Sequence, residues 1–211
     1  LTHVIPAYQS LKEAMLSLKK SSKNSAGLCY LPDGKRYYTC LAGKSSCSSR
    51  DIPALQKLTE TQRASDIRAV KELLAKNPSL STADADTLLP VSSPDAMLAL
   101  VQKNMKQDFA PPANTSYELH EIDPSLEASM APAFYLTAPV DRIDHNVIYL
   151  NKSSAYEGIQ LFTTLAHEGF PGHLYQNVMS YEYGLEPYRC QLCFDGYTEG
   201  WAAYVEALSY R

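Results

Sequence analysis

His167-Glu168-Gly169-Phe170-Pro171-Gly172-His173 constrains this chain more than any other segment. It follows a strongly apolar stretch (Ile159, Phe162, Leu165, Ala166) that reads as a helix with a buried face. Pro171 lies four residues after His167, and in a continuous helix its ring would clash with the His167 carbonyl. Gly172 adds backbone freedom at the same place. The helix is therefore expected to kink or bulge there by two residues and then restart. At about 100° per residue, six steps turn about 600°, so a straight helix would put the two imidazoles on different faces. A break at Pro171-Gly172 can return His173 to the side of His167.

The chemistry of these residues suggests a metal. Zincin-type metallopeptidases use His-Glu-x-x-His, in which two histidines bind zinc and the glutamate activates the attacking water. Here the second histidine is six residues on, so the motif needs a third ligand to stand. Thr198-Glu199-Gly200-Trp201-Ala202-Ala203-Tyr204-Val205-Glu206 supplies one. On a helix, Glu199, Ala203 and Glu206 share a face, whereas Trp201, Val205 and Leu208 belong to a different, apolar part of the surface. Glu199 would complete a two-His-plus-Glu zinc site with one open position. Glu206 could accept a hydrogen bond from a ligand imidazole, or be a solvated helix carboxylate.

Composition bounds the rest. The 211 residues, 45% hydrophobic and 20% charged, suit one good-sized domain or two small ones. They exclude a collagen-like, coiled-coil or wholly disordered chain. The longest apolar run, Met130 to Val140, is broken by Pro132 and Pro139 and falls short of the roughly 20 residues of a membrane helix. With 19 Lys+Arg against 23 Asp+Glu, the net charge of −4 lacks the basic footprint of a nucleic-acid binder. The five cysteines (Cys29, Cys40, Cys47, Cys190, Cys193) are too few for a disulfide scaffold. A Cys29–Cys40 or Cys40–Cys47 bridge and free thiols both stay open. Cys190-x-x-Cys193 could be redox-active or half of a structural zinc site, but no second pair follows, so packing thiols or a local bridge is the expectation. The chain starts at Leu1 without Met and is read as ending inside a helix, so a piece of a longer protein is expected. The compartment stays open, leaning to an extracytoplasmic or cell-envelope setting.

Val4, Tyr8, Leu11, Met15 and Leu18 predict a helix of about five turns. Gly27 to Gly43 reads as turn-rich and aromatic. Asp51 to Asn77 reads as a long helix, and Ser93-Pro94 caps another that runs to about Asp108. Ser116–Ile122, Ala133–Thr137 and Asn146–Asn151 read as three strands. Ser154-Ala155-Tyr156-Glu157 reads as a capping box, and a last helix starts near Asp195. The expected fold is mainly α with a small antiparallel sheet, an α+β class. Residues 1–110 form a helical part and 111–211 carry the sheet and the metal-binding helices. Asn146–Asn151, the strand nearest the His-Glu helix in sequence, is the candidate for main-chain substrate pairing, through Asn146 and Tyr149 among others. Gln176 could orient substrate or backbone, as could Asn177. Tyr204 is the first tyrosine to consider as a donor to a tetrahedral intermediate. His120 and His145 read as structural or surface histidines.

His167 to Gln176 followed by Glu199 to Glu206 resembles the bacterial family catalogued as domain of unknown function 885, grouped with helical gluzincin-type metallopeptidases. Gly27 to Gly34, Tyr37-Tyr38, Ala133-Phe134-Tyr135 and Ile148 to Asn151 are similar to family segments too. Members often carry a second His directly after the motif His, where this chain has Leu174. The resemblance implies a zincin-like, mostly helical zinc peptidase, with one zinc on His167, His173 and Glu199, Glu168 as general base and a peptide as substrate. It also implies long helical regions outside this segment, so the rest of the polypeptide counts as a partner. The alternative is a catalytically inactive zincin-like binding module, or a fragment inactive for want of its flanking segments.

Overall fold

Local signals account for the starts of the second, third and fourth α-helices in the computed structural model, which describes residues 2–21, 27–112, 116–153, 157–190, 192 and 194–211. Helix α1 spans Val4–Ser21. Helix α2 (Gly34–Ser46) forms in the segment that reads as turns. Its Asp33 carbonyl accepts from Tyr37 N at 2.9 Å, so the Pro32-Asp33-Gly34 turn starts a helix instead of reversing the chain. Helix α3 (Ile52–Lys76) begins where Asp51 Oδ1 accepts from Ala54 N at 2.9 Å. Helix α4 (Pro94–Met105) begins where Ser93 Oγ accepts from Ala96 N at 3.3 Å, satisfying a donor the first turn leaves open.

Three short strands follow: β1 (Tyr117–Glu121), β2 (Ala133–Leu136) and β3 (Asn146–Leu150). Their order is β1-β3-β2, with β3 antiparallel to β2 and parallel to β1. The sheet is therefore mixed, which corrects the antiparallel expectation. Successive strands alternate in direction, so β1 and β3 run the same way. Placing β3 in the middle, where β2 was the simpler choice, makes that pair parallel. Its central position also explains why β3 is buried on both faces (Val147, Ile148, Leu150).

Helices α5 (Gly158–Glu168), α6 (His173–Glu182), α7 (Pro187–Cys190) and α8 (Asp195–Leu208) complete the chain. The capping-box residues 154–156 lie outside the described residues, and Glu157 makes no side-chain cap bond. The cap comes from elsewhere: Asp86 Oδ1 accepts from Ile159 N at 2.6 Å. Gly158 allows this with a φ of 59°, where a Cβ would collide with the Asp86 carboxylate. Helix α8 closes at Leu208 and does not run through Arg211.

The core gathers α4, α5, α6 and the sheet, with Leu98, Ile148, Leu165, Ala166 and Leu174 at 0% exposure. Helix α5 is its axis, packed against α4, β2 and α8, while α2 buttresses the start of α8. Ser45 Oγ donates to Asp195 Oδ2 at 3.3 Å across that contact. Cys40 and Cys47 are free thiols, so neither the Cys29–Cys40 nor the Cys40–Cys47 bridge forms, and Cys193 lies outside the described residues. No helix among the described residues is long and apolar enough to cross a membrane. Leu165→Ala opens a cavity at the centre of this core and is expected to cost about 2–5 kcal/mol, read as a lower denaturant midpoint at unchanged slope.

Candidate metal centre

The break read from Pro171-Gly172 is present. Helix α5 stops at Glu168, four residues intervene, and α6 restarts at His173. The turn is tightly bonded: Gly169 N donates to Leu165 O at 2.9 Å, Tyr175 N to Gly169 O at 3.1 Å, and Gln176 N to Gly172 O at 2.9 Å. At Gly172 a Cβ would overlap the carbonyl oxygens of Ala166 and His167, so the chain can approach the end of α5 only with glycine there. The Phe170–Pro171 peptide is cis. The two imidazoles end up with ring centroids 4.8 Å apart and planes at 86°.

Glu199 reaches the same place from α8. His167 Nε2 lies 3.5 Å from Glu199 Oε2, and His173 Nε2 lies 3.6 Å from Glu199 Oε1. These distances are long for strong hydrogen bonds. They match the separation of about 3.4 Å between two ligands that share a tetrahedral ion at about 2.1 Å. One atom from each of the three residues fits within a 4.8 Å span, and the group could hold a metal ion. Two imidazole nitrogens and one carboxylate oxygen are the donor set of an open zinc site.

Glu206, two turns on, meets His167 Nδ1 at 3.1 Å through its Oε2. A carboxylate only accepts, so Nδ1 carries the proton and the Nε2 lone pair stays free towards Glu199. Glu168 stands on the other side. Its Oε2 accepts from Tyr135 N on β2 at 2.8 Å, and its Oε1 lies 4.0 Å from His167 Nε2. Burial pushes the Glu168 carboxyl above its ordinary value, against the opposing pull of the Tyr135 amide and of His167. Burial also holds His173 below its ordinary value, against the pull of Glu199. That favours the neutral imidazole, the form that ligates metals.

The site opens into a cavity of about 680 Å³ whose walls include Tyr135, Thr137, Gln176 and Asn177. The Tyr135 hydroxyl donates to Asn146 Oδ1 at 2.8 Å and accepts from Asn177 Nδ2 at 3.0 Å. Trp201 Nε1 donates to Pro171 O at 2.7 Å, which ties α8 to the break between the histidines.

Residues 1–210 match the family described as "Bacterial protein of unknown function (DUF885)". The chain belongs to this family. A crystal structure described as that of "the putative lipoprotein from Colwellia psychrerythraea" shares the fold, with a TM-score of 0.77 at 22% identity. The likeness covers 99% of this chain and 39% of that one, so this DUF885 chain spans about two fifths of the length of that relative. No curated protein sequence matches it.

Within the DUF885 chain, His167, Glu168, His173, Glu199 and Glu206 come together, and Gln176 lines the adjoining cavity. Asn146 does not reach it. It is 1% exposed, and its amide binds the carbonyls of Ser116 and Ile143. Tyr149 lies on the sheet face opposite Ile148, stacked on Phe134 at 5.1 Å. Tyr204 lines a different cavity, with Met105, Phe162 and Leu208. The strand that borders the site is β2, the sheet edge, while β3 is paired on both sides. That corrects the choice of β3 for main-chain pairing. His120 is on the surface beside Glu118 Oε2 at 2.7 Å, and His145 is exposed. Sequence reasoning missed two contacts: the Tyr135 amide on Glu168 and the Trp201 indole on Pro171. Both join residues distant in sequence, and neither leaves a periodic signal.

Gly172→Ala should force the turn apart and destabilise the fold by about 1–3 kcal/mol. Chemical denaturation measures this, and the same substitution at Gly200, where a Cβ meets nothing within 4 Å, should not lower stability.

Proposed function

We propose that this protein is a zinc-dependent peptidase. The observation that carries the reading is the convergence of His167, His173 and Glu199 next to a buried glutamate held by the sheet edge. His167 and His173 would hold one zinc ion through Nε2 and Glu199 through its carboxylate, with Glu206 fixing the His167 tautomer. When bound, zinc supplies Lewis acidity, polarising a scissile carbonyl and bringing the pKa of water to about 7. Glu168 is the general base. The Tyr135 amide occupies its Oε2, so Oε1 is the oxygen that takes the proton of the attacking water and passes it to the departing amine.

The β2 edge runs beside Glu168 and is the element on which an extended peptide would pair. Burial of the base favours proton transfer over exchange with bulk water. The larger protein, of which this chain would be the metal-binding portion, would add the lobes that select substrates. The lipoprotein description of the Colwellia protein supports an extracytoplasmic, envelope-associated setting for this chain as well.

Glu168→Gln in the full-length protein should keep stoichiometric zinc by elemental analysis while peptide hydrolysis falls by about 10²–10⁴. Unchanged hydrolysis would remove Glu168 as the base. Absence of zinc and of zinc uptake in the wild type would favour the binding-module alternative. Glu206→Gln should weaken zinc by about 10–100-fold in a competitive chelator titration, whereas Glu118→Gln, beside the surface His120, should leave it unchanged.

A further inference from the structure

The cavity beside His173 and Glu168 carries two polar groups that the hydrolytic machinery does not use. Gln176 follows His173 by one turn of α6, and its buried Nε2 has no hydrogen-bond partner among the described residues. A buried donor left unpaired is costly, so turning the amide towards a ligand that brings an acceptor is favourable. Arg189, on α7, lines the same cavity. Arg142 and Lys152 pair with Asp144 and Glu121, but Arg189 has no carboxylate partner among the described residues.

The carboxylates that line the cavity have other partners, and none pairs with Arg189. Glu168 accepts from the Tyr135 amide, Glu199 sits between the histidines, and Asp195 accepts from the Ser45 hydroxyl. Among the described residues the cavity thus offers one guanidinium without an ion-pair partner and, once the Gln176 side chain turns outward, one unpaired amide donor. Leu185 and Phe194 add apolar lining. A guanidinium fork matches the two oxygens of a carboxylate, and an amide N–H matches a peptide carbonyl.

We propose that Arg189 binds the terminal carboxylate of a short peptide and Gln176 Nε2 a main-chain carbonyl oxygen of the same peptide, so that the protein cleaves near the carboxyl end of its substrate. This rests on the peptidase reading above. The reaction is the same hydrolysis: the C–N bond breaks, the oxygen of water bonds to the carbonyl carbon, and its proton goes to the departing amine. A peptide carboxylate could also come from an acidic side chain, and the test separates the two sources.

The substrates are an N-blocked tripeptide with a free carboxyl terminus, its C-terminal amide, and the amide of a tripeptide with a glutamate side chain. Zinc-loaded full-length protein is expected to prefer the free acid at least tenfold in kcat/KM. Arg189→Met should bring that ratio close to one, chiefly through KM and at unchanged zinc content, and Arg189→Lys should restore part of it. Gln176→Leu should raise KM for acid and amide alike. Equal rates on acid and amide, a ratio that survives Arg189→Met, or a glutamate amide cleaved as well as the free acid would each overturn the proposal while leaving peptide hydrolysis standing. Calorimetry on the Glu168→Gln protein gives a readout without turnover. Tighter binding of the acid, lost when Arg189→Met is added, upholds carboxylate recognition even if the wild type hydrolyses neither peptide. Equal binding of acid and amide overturns it.

Discussion

The hydrogen bond from the Trp201 indole to the Pro171 carbonyl, at 2.7 Å, links the two halves of the site. Both histidines belong to one stretch of chain, but Glu199 arrives on a helix some thirty residues later. Trp201 lies two residues beyond Glu199, so pinning its indole to the break sets the height and rotation of α8 against the imidazoles. The ring is itself held edge-on by Phe109, with centroids 5.9 Å apart, and lies parallel to Tyr175 at 6.4 Å. The loop after α4, the first turn of α6 and the middle of α8 are therefore joined in one aromatic cluster. The carbonyl it satisfies is also one that the interrupted helix cannot pair internally.

The sheet acts on the site in a different way. Its contribution is one main-chain N–H, from Tyr135, aimed at one oxygen of Glu168. That bond divides the work of the carboxylate, since one oxygen is held and the other is left towards His167. The Tyr135 side chain continues the same line into Asn146 and Asn177, so the edge strand, the central strand and α6 share a polar network. Asn146, read from sequence as near the substrate, serves as its buried anchor. Buried polar groups of this kind are stable only when fully satisfied, which explains why Asn146 spends its amide on two backbone carbonyls.

What could be read from sequence follows from the range of each interaction. Helices α1, α3, α4, α5 and α8 carry apolar periods within their own residues, α3 and α4 carry their own N-caps as well, and the proline and glycine in the His-Glu segment act on the carbonyls just before them. Those rules are local, so the break and the shared face of Glu199 and Glu206 could be anticipated. The parallel pairing of β1 with β3 depends on which strand takes the middle, and no local signal states that order. The cap on α5 comes from Asp86, over seventy residues away in sequence, and no local reading locates it. Helix α1 shows the opposite limit. Its apolar stripe forms a helix, yet Tyr8 is 70% and Leu18 67% exposed, because periodicity fixes a face without fixing what the face meets.

The spacing of the histidines has a consequence beyond ligation. A continuous helix from α5 into α6 would place His173 about 240° around from His167, and the residues after it would extend along the axis of α5. The four-residue turn redirects α6. His173 comes back beside His167, and Gln176 and Asn177, one turn later, line the cavity next to Glu168. The same turn that assembles the ligands therefore also builds a wall of the cavity. A shorter His-Glu-x-x-His spacing on one straight helix would assemble the imidazoles without redirecting the chain, and the amides at 176 and 177 would follow the helix axis away from the general base. In this fold the longer spacing couples metal geometry to cavity shape, so a change in the turn alters both together.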